Sequence, residues 1–423
     1  MLLLKNGTFI NWQTLEFRQC DILVDEGLNG KITFNPGREV SSKATTVDCT
    51  GQYITKSFAC GHHHVYSALA RGMGAPKKNP ENFNEILQYI WWTLDKALDS
   101  ETIYYSALVT AIACAKNGVT FVVDHHASPF AVEGSLGIIA KAFDEVGVGH
   151  LLCYEISDRD GKEIAMKGLE ETAGYLSDHQ GLVGLHASFT VEDETLRPAV
   201  QLARQTQSGL HVHVAEALSD QEQCIHTYGK RVIERFAEAG VLEFDKTILV
   251  HCLHLSESER QLIAGSPAWV VQNMESNLNN GVGFFNSKGL GNRIMFGTDG
   301  MHSDMLQSAK SAFFAGHNYD NIDYPETYRR FRNVHHYLSE NNFTGDGENN
   351  LVILDYNSPT PFNTSNFLGH YLFGIESRHV HHVISQGKMI VQDRVIQTVD
   401  EQKILEESRR QAARLWEKMR GKI

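Results

Sequence analysis

Between about residue 57 and residue 345 the chain repeats one unit: a short apolar segment, then a helical pattern, then another apolar segment. Eight such segments recur: Phe58–His64, Thr120–Asp124, His150–Glu155, Leu182–His186, Leu210–Glu216, Ile248–His251, Trp269–Asn273 and Arg293–Asp299. Helices fit between them. Ser100-Glu101 supplies an N-terminal cap before Thr102–Lys116, with Asn117-Gly118 as the stop, and Glu192-Asp193 opens a helix running toward Gln207. Alternating strands and helices imply a parallel sheet, and eight units imply a closed (β/α)8 barrel over residues 57–345. Residues 1–56 show short strand patterns with turn signals, and strand patterns return in Leu351–Asp355, His382–Ser385 and Met389–Val391. Residues 1–56 and 346–423 are therefore expected to form a small β-sandwich domain from both chain termini. An amphipathic helix from about Glu401 to Arg420 ends that domain.

The charge balance narrows the partners. Lys and Arg total 38 against 51 Asp and Glu, a net charge of -13, which disfavours phosphate backbones and anionic lipid. No apolar run approaches the roughly 18 residues that would suggest a membrane span, and the Met1-Leu-Leu-Leu-Lys5 start lacks the pattern of a secretory signal. A cytoplasmic enzyme with a small-molecule substrate, no nucleic acid or membrane partner, and room for a homodimer is expected. The 7 cysteines are scattered without a CxxC pair and read as buried, reduced thiols.

Most of the barrel segments end in a residue that binds metal, moves protons or hydrogen-bonds. Catalytic groups of this fold project from the C-terminal strand ends, and buried polarity there is costly without a function. His62 and His64 stand at i and i+2, so both imidazoles face one side of the strand and can enter one barrel mouth. Imidazole suits zinc, and iron or manganese tolerate it. His63 points the other way. His211 and His213 share a face, of which only one can be a ligand without crowding the site. Glu216 lies just beyond that strand, within reach as a proton shuttle, and Asp299 in Gly297-Thr-Asp-Gly300 can bind metal and accept a proton. His251, opening His251-Cys-Leu-His254, can hydrogen-bond the reacting oxygen or the substrate, whereas His254 reads as structural. His125, His186, Asn273 and Ser276 are the substrate-binding candidates. Trp91 and Trp92 read as packing in the insert after the first strand, and His379, His381 and His382 as surface or packing residues.

Gly61-His-His-His-Val-Tyr-Ser-Ala-Leu-Ala-Arg-Gly72, Asp124-His-His-Ala-Ser-Pro129, His213-Val-Ala-Glu216, His251-Cys-Leu-His254 and Gly297-Thr-Asp-Gly300 resemble the amidohydrolase superfamily. The similarity falls in its cytosine and guanine deaminase and triazine hydrolase branch, in particular the SsnA-type aminohydrolases, and Tyr356-Asn-Ser-Pro-Thr-Pro361 extends it. The resemblance implies a barrel, a β-sandwich and a mononuclear site with His62, His64, His213 and Asp299 as ligands. It implies Glu216 and His251 as the catalytic partners, with Asp299 shared between both roles. Three features depart from the pattern: Lys56-Ser57 replaces a usual Pro-Gly, Glu275 follows Asn273 unusually, and residues 343–351 are shortened. The fourth strand offers no Lys to bridge two metals.

The chemistry expected is hydrolytic deamination of a small neutral nitrogen heterocycle, such as a purine or pyrimidine, releasing ammonia. One divalent ion per chain, zinc by preference, would bring a water to ionise near neutral pH. Asp299 then accepts a proton, Glu216 protonates the ring, and His251 holds the developing oxyanion. Cyclic-amide hydrolysis or dehalogenation at the same site is the alternative within the enzymes; a non-catalytic metal-binding scaffold is the alternative outside them.

Overall fold

The computed structural model describes residues 1–37 and 43–421. All eight apolar segments form strands, at Phe58–His63, Val119–His126, Gly149–Ile156, Val183–Ala187, Leu210–Val214, Ile248–His251, Trp269–Gln272 and Ile294–Phe296. They pair in parallel, each with its sequence neighbour, in one eight-stranded sheet. The inward side chains Phe121, Val123, Leu151, Cys153, Val250 and Val271 form a single apolar cluster. Helix Tyr324–Glu340 closes the barrel from below: Val334, Tyr337 and Leu338 join that cluster, and Tyr337 Oη donates to the carbonyl of Lys246 just ahead of the sixth strand.

The seam between the first and eighth strands closes only at its upper end. There the amides of Thr298 and Asp299 both donate to the His62 carbonyl, at 3.0 and 3.1 Å, and His63 bridges Asp299. The close approach requires glycine. A Cβ on Gly297 would stand 2.4 Å from Asn273 Oδ1 and 2.9 Å from the His62 carbonyl oxygen. Barrel closure thereby carries Asp299 to the side of His62 and His64.

A second, nine-stranded sheet takes five strands from residues 2–56 and four from residues 351–396. Its two chain ends join where Tyr53–Lys56 pairs antiparallel with Leu351–Leu354. Alternation along the latter strand sends Leu351 and Ile353 into the sheet's own apolar cluster, and Val352 and Leu354 into the core shared with the barrel helices. Helix Glu401–Gly421 follows, burying Leu415 and Met419. Helix Ser100–Lys116 starts as expected, although its cap is Asp99, one residue earlier, whose carboxylate accepts from the Thr102 amide. All seven cysteines are buried and free. Among the described residues no helix is long and apolar enough to cross a membrane.

Two of the sequence departures meet in space. The ammonium of Lys56 donates to Asp346 Oδ1 and to the Gly347 carbonyl, both at 2.7 Å, inside the shortened 343–351 segment. His335 Nδ1 lies 2.7 Å from the other oxygen of Asp346, and all three side chains are buried.

Candidate metal and catalytic site

The upper strand ends gather histidines around one point. His62, His64 and His213 each offer a ligand atom within 4.8 Å of one another, as do His62, His251 and Asp299. Asp299 Oδ1 lies 3.1 Å from His64 Nε2 and 3.5 Å from His62 Nε2. His64 Nδ1 donates to the His125 carbonyl at 2.6 Å and His213 Nδ1 to the His186 carbonyl at 2.9 Å. These bonds place a proton on each Nδ1. Burial keeps His213 neutral with a lone pair on Nε2. At His64 burial is outweighed by the Asp299 carboxylate, which raises the ring to about 9 and favours a proton on its Nε2 as well. The two Nε2 atoms face each other at 3.2 Å. At that distance a positive charge belongs between them, either a proton on His64 or, in its place, a metal ion. His62 Nε2 is buried without a hydrogen-bond partner and points into the same cluster. Carbonyl-anchored imidazoles with free outer nitrogens are the usual dress of metal-ligating histidines. The donor set fits a divalent transition ion.

His211 falls behind this cluster, its Nε2 2.9 Å from His62 Nδ1. It backs His62, and His213 is the histidine of that strand whose Nε2 faces the cluster.

Three polar groups crowd one side of the cluster. His251 Nε2 lies 3.4 Å from Glu216 Oε2 and 3.8 Å from Asp299 Oδ2. Asn277 Nδ2 donates to His251 Nδ1 at 2.8 Å, which leaves the His251 proton on Nε2, aimed at the two carboxylates. Burial and the nearby Asp299 charge push the Glu216 carboxyl well above the ordinary range. Burial would raise Asp299 too, but the neighbouring His62 and His64 rings hold it well below. Two carboxyls driven apart in this way suit one acid and one base. The backbone is strained here: His251, Asp299 and Ala215, the residue before Glu216, all have left-handed φ, at 70°, 54° and 46°. Such conformations cost of order 1–3 kcal/mol in non-glycine residues and gather at functional sites.

The sequence model of the amidohydrolase family matches residues 53–341, which hold the whole barrel. The chain belongs to the amidohydrolase family. Two 5-methylthioadenosine/S-adenosylhomocysteine deaminases are among its relatives. The one from Syntrophomonas wolfei is 26% identical, covering 87% of this chain and 88% of that protein. The one from Thermococcus sibiricus is also 26% identical, covering 92% and 94%. Among solved structures, a zinc-bound adenosine deaminase from Xanthomonas campestris superposes with a TM-score of 0.83 at 19% identity, covering 98% of both chains. A zinc complex of atrazine chlorohydrolase from Arthrobacter aurescens gives 0.81 at 16% identity, covering 97% of this chain and all of that one.

Above the amidohydrolase centre lies a cleft of about 620 Å³, part of it open to solvent. His64, His213, Glu216, His251 and Asp299 form its floor, and His186 and Ser276 its walls. His125 and Asn273 are instead beneath it, almost fully buried; neither amide atom of Asn273 has a hydrogen-bond partner. His63 turns away to Thr298, at 2.9 Å, and His254 donates to the Val282 carbonyl, at 2.7 Å. Glu275 points away from the cleft and binds His302, Gln307, Ser308 and Ser311, tying two helices together.

Two expectations need correction. Trp91 and Trp92 are not plain packing: the insert folds over the barrel mouth, so both rings line the cleft with Tyr66, Phe83 and Leu87. The turn Leu87–Trp91 is π-helical, an irregularity that recurs at functional sites. The cleft also holds a cation that the strand-end pattern did not suggest. Arg159, three residues beyond the third strand, lines it beside Glu155 and Asp95. Glu155 was open to detection, because it ends the third apolar segment of the sequence as Asp124 and His251 end theirs.

Proposed function

We propose that the chain hydrolytically deaminates a small neutral nitrogen heterocycle bearing an exocyclic amine, using one zinc ion held by His62, His64, His213 and Asp299. The observation that carries this reading is the convergence of Glu216, His251 and Asp299 beside the facing His64 and His213 nitrogens. A scaffold needs the ligands alone; a hydrolase also needs the acid, the base and the oxygen donor.

When bound, the ion supplies Lewis acidity, bringing a water toward ionisation at about pH 7. Asp299 accepts the proton as the oxygen adds to the amine-bearing carbon. Glu216 gives its proton to the adjacent ring nitrogen, and the Nε2–H of His251 holds the new oxygen. Collapse of the tetrahedral carbon returns a proton to the amine, which leaves as ammonia. The aromatic walls, Trp91, Trp92 and Tyr66, suit a flat ring. Arg159 is the one cation lining the cleft among the described residues, and it already faces Asp95, Glu155 and Asp160. A phosphorylated substrate would lack a free partner there. The deaminase names of the relatives support the same choice of bond.

Ammonia release should be followed across free bases, nucleosides, nucleotides and hydantoins. Release from bases or nucleosides is expected. Turnover confined to nucleotides, or hydantoin ring opening without ammonia, would contradict the assignment.

A further inference from the structure

A chain of buried charged and polar groups runs from the roof of the cleft to its floor. Asp95 belongs to helix Trp92–Ala97 of the insert and is ion-paired with Arg159 Nη2. The same nitrogen lies 3.9 Å from Glu155 Oε1. The other carboxylate oxygen of Glu155 lies 3.3 Å from His125 Nδ1. His125 Nε2 lies 3.2 Å from the carbonyl oxygens of both Leu185 and His211, which hold that edge of the ring, while Nδ1 faces the Glu155 carboxylate without a hydrogen bond. The carbonyl of His125 in turn receives the Nδ1–H of His64, at 2.6 Å. Asp95, Glu155 and His125 are 1%, 6% and 0% exposed, so little solvent reaches them in this arrangement.

We propose that Glu155 is a positioning residue for the metal ligand His64, and that Asp95 and Arg159 make its setting depend on how the insert is seated over the cleft. This rests on the metal reading above but on no particular substrate. A histidine ligand presents its outer nitrogen in a fixed direction only if its inner N–H is anchored. Here the anchor is the carbonyl of a residue whose ring sits with one edge on two carbonyls and the other against the Glu155 carboxylate, at 3.3 Å. The insert carries Trp91 and Trp92, so formation of the aromatic roof and alignment of His64 become linked events.

A rival use of these groups is a second ion, since His125, Glu155 and His213 also bring ligand atoms within 4.8 Å of one another. The arrangement does not favour it. His213 has Nδ1 engaged with the His186 carbonyl and turns Nε2 to the first site, and the Arg159 charge stands beside Glu155.

The test is zinc affinity, measured by competition with a chromophoric chelator, alongside thermal melting. Glu155→Gln should weaken zinc binding about 10–100-fold, the scale of lost outer-shell partners, with melting little changed. Asp95→Asn, made on the insert away from the ion, should weaken binding several-fold in the same direction. The double variant should bind no more weakly than Glu155→Gln, because both act through one chain. Zinc affinity of Glu155→Gln within about twofold of the parent overturns the proposal; so do losses that multiply in the double variant. If Glu155→Gln does not fold, unchanged affinity in Asp95→Asn overturns it alone. A parent protein that binds no zinc would instead refute the metal reading itself.

Discussion

Glu216→Gln should lower turnover by at least ~10²-fold while the protein keeps its ion, the scale of one lost general acid–base group. Glutamine preserves the shape and the contact to Asn280 Nδ2, which lies 3.5 Å from Glu216 Oε1, but it cannot deliver a proton to a ring nitrogen. His213→Ala should fail in a different way. It removes one of the two facing Nε2 atoms, so metal content should fall with activity. Elemental analysis beside steady-state rates separates the two outcomes. Equal loss of metal in both variants would make Glu216 a ligand and reverse the division of roles.

The second large effect concerns stability. Asp346→Asn should destabilise the fold by about 3–5 kcal/mol, because removing one partner leaves a buried charge uncompensated. Lys56 would keep only carbonyl partners at Gly347 and at residue 346, and His335 would lose its carboxylate. The effect should depend on acid. Burial alone would raise the Asp346 carboxyl, yet His335 and Lys56 hold it down at about 2. A carboxyl lowered on folding stabilises above its unfolded value, about 3.9, and that contribution disappears as pH falls toward about 2. Urea unfolding at several pH values should therefore show a full gap between parent and variant above about pH 4 that narrows by about 2–3 kcal/mol in stronger acid. Equal stability of the two proteins at neutral pH would contradict this account.

The barrel was legible because its signal is periodic and its functional rule is positional. Each short apolar run is a strand, and the residues after those runs, from His64 to Asp299, collect at one mouth. The strand pattern alone did not separate His211 from His213; the family resemblance pointed to His213. Both face the same way along the strand, and only their different heights inside the closed barrel put His211 behind His62. Trp91 and Trp92 looked like packing because sequence does not say which surface an insert covers. Arg159 escaped notice because it lies beyond its strand on a loop, and its place in the cleft follows from contacts with Asp95, 64 residues away. Lys56 and Asp346, separated by 290 residues, are likewise explained only by the meeting of the two chain ends.

In the proposed mechanism one ion, held by three imidazoles and a carboxylate, runs the reaction. Protein stripped with a chelator should be titrated with zinc while ammonia release is followed from the best substrate of the heterocycle panel. Activity should climb from near zero and level off at one zinc per chain. A break at two per chain, or ammonia release that does not depend on added metal, would contradict it.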